Sequence, residues 1–420
     1  MKQVKLKDIT TKIGSGATPS GGKKSYKTTG IALIRSLNIF DLNFSYDELA
    51  YINDEQAKKL NNVIIEPNDI LLNITGASVA RCCILPENLL PARVNQHVSI
   101  VRINKGLANP YYIQYLLVSP YYKQKLLSIA QGGATREALT KESIENFEII
   151  IPKDKKAQDK IAKILSNYDN LIKNNNKRIK ILEEMAQKIY KEWFVDFKFP
   201  GYETTTFKQT EFGKIPKNWD ILPFENFIFF QEGPGIRNWQ YVNENGVNFV
   251  NIRCINNNIL SINNASQISK DEAYGKYKHF LLNENDIIMS TSGTLGKWAI
   301  IQKHHLPLCL NTSIIRFIPK LRKEDYSYIL GYLKSTTFNN HLSSMATGSA
   351  QVNFGPMHLK QIKIIKPNNT ILDKYHNTIN PLTKERLILI SKNQTLKQTR
   401  DLLLPRLISG EIDVENLEIV

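Results

Sequence analysis

The tetrapeptide that comes nearest to a chemical motif in this chain is Asn109-Pro110-Tyr111-Tyr112. An adenine methyltransferase grips a flipped base with an Asn-Pro-Pro-Tyr type of motif, and here Tyr111 stands where the second proline belongs. Such an enzyme also needs a glycine-rich cofactor loop, and no Phe-x-Gly-x-Gly precedes the motif. The tetrapeptide is therefore read as the start of a helix. The stretch KIGSGATPSGG (12–22) is rich in glycine but lacks Gly-x-x-x-x-Gly-Lys-Ser/Thr and a long strand–helix context, which argues against a phosphate cradle. Cys82, Cys83, Cys254 and Cys309 form no C-x-x-C pair and the histidines are scattered, so buried reduced thiols are expected, with no metal site. No paired-carboxylate, Ser-His-Asp or Cys-His constellation stands out. The chain is expected to bind rather than catalyse.

What it binds is indicated by charge. Lys+Arg number 55 against 39 Asp+Glu, a formal net charge of +16. Such an excess suits a polyanion, and nucleic acid is the commonest. Side chains able to read bases or hold phosphates are Arg, Asn, Gln, Ser, Thr and Lys. They gather in four loops. GSGATPSGGKKSYK (14–27) offers Ser15, Thr18, Ser20, Lys23 and Lys24, and QGGATRE (131–137) offers Thr135 and Arg136. GPGIRNWQ (233–240) offers Arg237, Asn238 and Gln240, and GSAQVN (348–353) offers Ser349, Gln351 and Asn353. The alternative is that these are merely solvated turns.

The loops recur because the chain repeats itself. EPNDILLNITGA (66–77) returns as NENDIIMSTSGT (283–294), with Asn68 matching Asn285 at an offset of 285 − 68 = 217. VNQHVSIVRI (94–103) returns as LNTSIIRFI (310–318). AQGGATREALTKESIENFEIIIPK (130–153) returns as MATGSAQVNFGPMHLKQIKIIKP (345–367), at an offset of 367 − 152 = 215. Ordered matches at a nearly constant offset mark a duplication. Each half opens with short β-rich runs punctuated by Gly, Asn and Pro, with helical stretches such as 111–130, and closes on a long helix.

The first long helix, about 156–194, carries an apolar stripe at alternating three- and four-residue steps through Leu165, Tyr168, Ile172, Asn175, Ile179, Leu182, Ala186, Ile189 and Trp193. The second, about 371–404, places Tyr375, Leu382, Leu389, Leu396 and Leu403 at sevens, with Arg386, Asn393 and Arg400 making its seam more polar. Pro381 is expected to kink it or mark a restart. The stripes are expected to pair, with Asn175 setting register; the alternative packs each helix on its own globular domain. The fold class expected is α+β: two duplicated mixed α/β domains separated by two long antiparallel helices forming a coiled coil, with pseudo-twofold symmetry. The divisions are 1–154, 155–200, 201–368 and 369–420. About 30 helical residues rise ~45 Å, close to the ~34–36 Å of one DNA turn, so recognition of an asymmetric two-part site with an unread gap is expected.

Over essentially its whole length the chain resembles the specificity subunit of Type I restriction-modification systems. KIYKEWFVDFKFPG (188–201) is similar to that family's central conserved region and LKQTRDLLLPRLISGEIDV (396–414) to its C-terminal one. The Asp-Ile and Thr-Gly elements of each half suit its target-recognition domains. The start MKQVKLKDIT lacks the apolar core of a signal peptide, which points to the cytoplasm. The resemblance implies a non-catalytic DNA-reading subunit that docks two modification subunits and works with restriction subunits. S-adenosylmethionine, ATP and Mg would then sit on those partners and not on this chain. The cluster Trp193, Phe194, Phe197 and Phe199 is expected to close the junction between helix and second domain and in part to dock a modification subunit, with Leu402, Leu403, Leu404, Leu407 and Ile408 serving the other copy. The alternative is purely intramolecular packing of both. The competing readings are a self-sufficient DNA adenine methyltransferase and a coiled-coil scaffold that binds DNA without preference.

Overall fold

The computed structural model describes all residues except 133–136, 264, 293–295, 346–353, 416 and 418–420. The chain forms two compact units, Met1–Lys173 with Asn393–Val420, and Asn174–Lys392. Each holds one globular domain and half of each long helix.

The duplication is visible strand by strand. In the first unit a four-stranded sheet runs in the order Thr10–Ser15, Val98–Ile103, Ile70–Asn73, Cys82–Ile84. In the second the order is Ile228–Glu232, Ile314–Pro319, Ile287–Ser290, Trp298–Ile300. Register is kept as well: Ile70 pairs with Val101 and Ile287 with Phe317, the positions that the repeat equates. Each unit has a second sheet containing one parallel pair, Ile31–Ile34 with Ala92–Val94 and Val247–Val250 with Leu308–Leu310. A peripheral pair ties the beginning of each domain to its end, Lys2–Lys5 with Glu148–Ile151 and Asp220–Pro223 with Lys363–Lys366. Asn68 and Asn285 take the same left-handed turn, at φ 72° and 70°.

The Asp-Ile element serves folding. Asp69 accepts from the Glu66 amide at 2.7 Å, and Asp286 from the Asn283 amide at 2.9 Å, which closes the turn into the strand. The carboxylate is kept between halves, but its arginine is not. Arg102 lies one step beyond the Ile70–Val101 pair and grips Asp69 with two bonds of 2.8 Å. Arg316 sits two positions away along the equivalent strand, stands 3.6 Å from Asp286, and donates instead to the Leu281 and His279 carbonyls. Burial accordingly raises the Asp286 pKa. Asp69→Asn is expected to cost about 2–3 kcal/mol, because a bidentate, largely desolvated pair is broken. Asp286→Asn is expected to cost less than about 1 kcal/mol, since burial already disfavours its charge. Urea midpoints of the two variants check the difference.

Expected helix 111–130 is two helices, Pro110–Val118 and Pro120–Gln131, because Pro120 cannot donate to the turn before it. Asn109 caps the first of them, accepting from the Tyr112 amide at 3.1 Å, so NPYY is a helix start.

The long helices are Lys155–Phe194 and Asn369–Ser409. The predicted stripe of the first is covered along its length: Leu165, Asn175 and Ile179 are buried and the rest of it is half-buried. In the first unit Asp169 meets Arg400, and Lys160 reaches the Val414 and Glu415 carbonyls at 3.2 and 2.7 Å. In the second unit Arg178 pairs with Glu385 at 2.7 Å and the Trp193 ring packs tilted against Tyr375 at 5.6 Å. Rising numbers on one helix meet falling numbers on the other, so the pairing is antiparallel within each unit. Each helix also packs on the globular domain of its unit, so both expected arrangements occur at once.

Two details depart from expectation. The second helix does not restart at Pro381, which lies on its exposed face, where water can satisfy the carbonyl that the proline leaves unbonded. The polar seam residues Arg386 and Arg400 are buried cations with partners. Arg386 bonds Glu183 at 2.6 Å and the Asn258 carbonyl at 2.9 Å and lies 4.7 Å over the Trp298 ring.

Candidate nucleic-acid interface

In the first unit, four segments converge at one end of the four-stranded sheet. The Gly16 amide donates to the Asn95 carbonyl at 3.1 Å, and that of Ile74 to the His97 carbonyl at 3.0 Å. The Gly76 amide donates to the Glu137 carbonyl at 3.1 Å, and Leu139 to Ile74 at 2.9 Å. These bonds stitch loops 14–22, 74–78 and 95–97 to the flank of 131–138. The approach is so close at Gly16 that a β-carbon there would lie 2.5 Å from the Val94 carbonyl carbon and 2.9 Å from the Asn95 oxygen. Gly233 holds the same place in the second unit, where a β-carbon would lie 2.5 Å from the Asn311 carbonyl carbon and oxygen. There the Gly233 amide donates to the Ile314 carbonyl at 3.3 Å, Thr291 to Ser313 at 3.0 Å and Phe354 to Thr291 at 3.1 Å.

This end of the first sheet presents a connected polar row. Thr18 contacts the Gln96 side-chain oxygen, the Gln96 amide lies 3.1 Å from His97 Nε2, and His97 Nδ1 lies 2.6 Å from the Thr75 hydroxyl. One assignment satisfies every link: Thr18 donates to Gln96, Gln96 to Nε2, and Nδ1–H to Thr75, whose own proton remains free to donate outward. Register places Thr312 and Ser313 of the second unit where Gln96 and His97 stand in the first. Asn95 and Asn311 fold both corners alike, their side-chain oxygens accepting from the His97 and Ser313 amides at 3.1 and 2.9 Å. A common backbone thus carries different donors and acceptors. Beside this end in the second unit, burial raises the Glu232 pKa, so the carboxylate next to Gly233 is less ready to carry charge.

Of the predicted readers, Ser15, Thr18, Ser20, Lys24, Arg237 and Asn238 are exposed. Gln240 is not available: it is 8% exposed, accepts from the Arg237 amide at 2.9 Å, and donates to Glu272 at 2.6 Å and the Tyr277 hydroxyl at 3.2 Å. It anchors its loop. Thr135, Arg136, Ser349, Gln351 and Asn353 lie outside the described residues, as does the Lys23 side chain. Sequence reasoning missed Thr75, Gln96, His97, Thr312 and Ser313. The signal was present in VNQH against LNTS, a conserved corner whose next two residues differ between the copies.

The aromatic knot at the first helix end faces inward. Phe194 is 6% exposed and packs on Tyr328 and Tyr375, each at 4.7 Å, and Phe199 packs on Trp219 at 5.1 Å. Phe197 holds a left-handed conformation, φ 56°, with its ring 5.6 Å from Trp219. Leu404, Leu407 and Ile408 are buried likewise in the core of the first unit. Phe194, Phe199, Leu404, Leu407 and Ile408 therefore follow the intramolecular alternative, closing the junction between helix and globular domain, and offer no surface to a partner. Trp193, Phe197 and Leu403 are half-buried, and Leu402 is 72% exposed.

Among the described residues no group of His, Cys, Asp or Glu is placed to hold a metal, and no helix is long and apolar enough to cross a membrane. All four cysteines are free and buried.

Two domains with matched frameworks, unlike surface side chains and paired long helices define a duplicated protein that presents two different faces on one scaffold. Residues 1–184 and 216–392 match the Type I restriction modification DNA specificity domain, and the chain belongs to that family. It is 26% identical over 415 residues to the Type I restriction enzyme MjaIX specificity subunit of Methanocaldococcus jannaschii, covering 98% of this chain and 94% of that one. It is 22% identical over 444 residues to the HindI specificity subunit of Haemophilus influenzae, covering 91% and 94%. The crystal structure of a Type I restriction-modification S subunit from M. genitalium has the same fold, with a TM-score of 0.57 at 14% identity over 97% of this chain and 95% of that one. The chain is the DNA-recognition component of such a system, not its catalyst.

Proposed function

We propose that the first and second units each read one half of an asymmetric two-part DNA site and that the chain docks two modification subunits in a cytoplasmic complex. The observation that carries this reading is the pair of sheet ends in matching register with different side chains, Gln96 and His97 in one and Thr312 and Ser313 in the other. Equal frameworks suit equal docking on a duplex; unlike donors and acceptors suit unlike bases. S-adenosylmethionine would belong to the modification subunits, and ATP and Mg to restriction subunits. Exposed apolar side chains on the long helices, Ile181 and Met185 one turn apart, Ile388 and Leu402, are the docking candidates.

The test is a map of N6-methyladenine in cells that express the chain with its modification subunit, with controls that omit either protein. A gapped motif that needs both is expected. Methylation without the partner would make this chain the enzyme, and a stable complex without methylation would leave a scaffold. Inserting four residues into the first long helix adds ~6 Å and is expected to lengthen the gap by about 1–2 base pairs while both half-sites stay the same. A change in half-site sequence at constant gap would refute a spacer role.

A further inference from the structure

Trp239 is 80% exposed, more than any other large apolar side chain among the described residues. It stands in a loop that is held at both ends. At one end Gly233 lies against Leu310 and Asn311, so the loop leaves from the sheet end described above. At the other, Gln240 is buried and bonded to Glu272 and Tyr277. Ile236 turns inward and packs against the cluster around Val247, Phe249 and Ile268. Between these two anchors Arg237, Asn238 and Trp239 all face solvent. The Asn238–Gln240 turn is closed by the Gln240 side chain on the Arg237 amide at 2.9 Å. The indole is thus presented on a fixed base and does not hang from a slack loop.

The chemistry around it favours a polyanion with aromatic faces. The loop carries one cation, Arg237, between Glu232, whose pKa burial raises, and Glu244, while Glu272 is engaged by Gln240 at 2.6 Å. A guanidinium, a side-chain amide and an indole in sequence match a phosphate, a base edge and a base step that can be opened by a wedge, at a cost that depends on the sequence of the step. By the offset that matches Gly16 to Gly233, the first unit has Ser20, Gly21 and Gly22 at these places, and the aromatic of that loop, Tyr26, is half-buried under Arg35 at 5.3 Å. Among the described residues of these two loops, Trp239 is the projecting ring.

We propose that Trp239 is a specificity-determining contact, a wedge that stacks on a base in the half-site read by the second unit. This rests on the DNA-reading function proposed above. The first half-site would be read by polar groups alone, so loss of the ring should be felt on one side of the motif only.

The test uses the full chain assembled with its modification subunits, in wild-type, Trp239→Ala and Trp239→Phe forms. Binding is measured on the methylation-mapped cognate duplex and on duplexes with either half-site scrambled. Trp239→Ala is expected to weaken cognate binding by roughly 5- to 100-fold, the range for loss of one stacked base. Discrimination at the second half-site should fall, discrimination at the first should hold, and Trp239→Phe should recover most of the loss. Cognate affinity unchanged in Trp239→Ala would overturn the proposal, as would equal loss on every duplex. Loss of assembly with unchanged DNA affinity would also overturn it and make the ring a protein contact. If the wild-type complex does not distinguish cognate from scrambled DNA, the underlying DNA-reading function itself fails, which is a separate result.

Discussion

Gly16→Ala is expected to destabilise the first unit by roughly 3 kcal/mol or more, an effect at the upper end for one added methyl group. The reason is what the methyl meets. A β-carbon at Gly16 would lie 2.5 Å from the Val94 carbonyl carbon and 2.9 Å from the Asn95 oxygen, and closer still to the Val94 oxygen. These are backbone atoms. Ala92–Val94 is a strand of the second sheet, and Asn95 begins the corner that carries Gln96 and His97, so neither can move without breaking ladder bonds. The control is Ser15→Ala, one residue earlier and exposed, which should stay within about 0.5 kcal/mol. Urea unfolding of the full chain compares them, and a midpoint for Gly16→Ala no lower than that of Ser15→Ala would show that the close approach does not hold in solution. The equivalent Gly233→Ala should behave alike in the second unit, because Asn311 blocks its β-carbon in the same way. The functional consequence is separable: a chain that survives the first substitution should lose its first half-site before its second.

Phe194→Ala is expected to cost about 3–5 kcal/mol, the usual range for emptying a buried phenyl site. The ring is 6% exposed and touches Trp219, Tyr328 and Tyr375 at 5.9, 4.7 and 4.7 Å. Tyr190, Trp193 and Phe199 complete the cluster, so collapse into the void would disturb rings on every side. A docking role alone predicts the reverse, unchanged stability and weakened assembly. Leu402 supplies the contrast, since a side chain 72% exposed can be replaced by serine with little loss of stability. Leu402→Ser should therefore change assembly with the modification subunit and leave the denaturation midpoint in place. Thermal unfolding of both variants, with co-purification of the partner, separates core residues from docking residues.

The reach of the sequence can be judged at single positions. Asn68 and Asn285 were matched by an offset alone, and both take the left-handed turn, because Asn tolerates that region better than most residues and the following Asp accepts the amide that closes the turn. The helix stripe from Leu165 to Trp193 was legible because a seven-residue period must bury one face. Family membership was legible for the same reason: long motifs repeated in order carry more information than any single site. Gln240 shows the limit. Its neighbours Arg237 and Asn238 share its polarity and its loop, yet it is buried, because Glu272 and the Tyr277 hydroxyl arrive from more than thirty residues away to hold it.

What the sequence determined by itself was what is periodic, repeated or summed over the chain: the duplication, the two long helices and the excess of positive charge. Each of these depends on local propensity or on a pattern that the chain displays in one dimension. The tertiary structure alone decided which polar side chains face outward and which apolar ones are spent inside. Phe194 and Leu402 are both large apolar residues near helix ends, and only packing against Tyr328 and Tyr375 makes one a core residue while the other stays exposed. Thr18, Thr75, Gln96 and His97 are likewise scattered along the chain and become one row only where three loops are drawn together at a sheet end. Burial and convergence depend on contacts between distant residues, and those contacts exist only once the chain has folded.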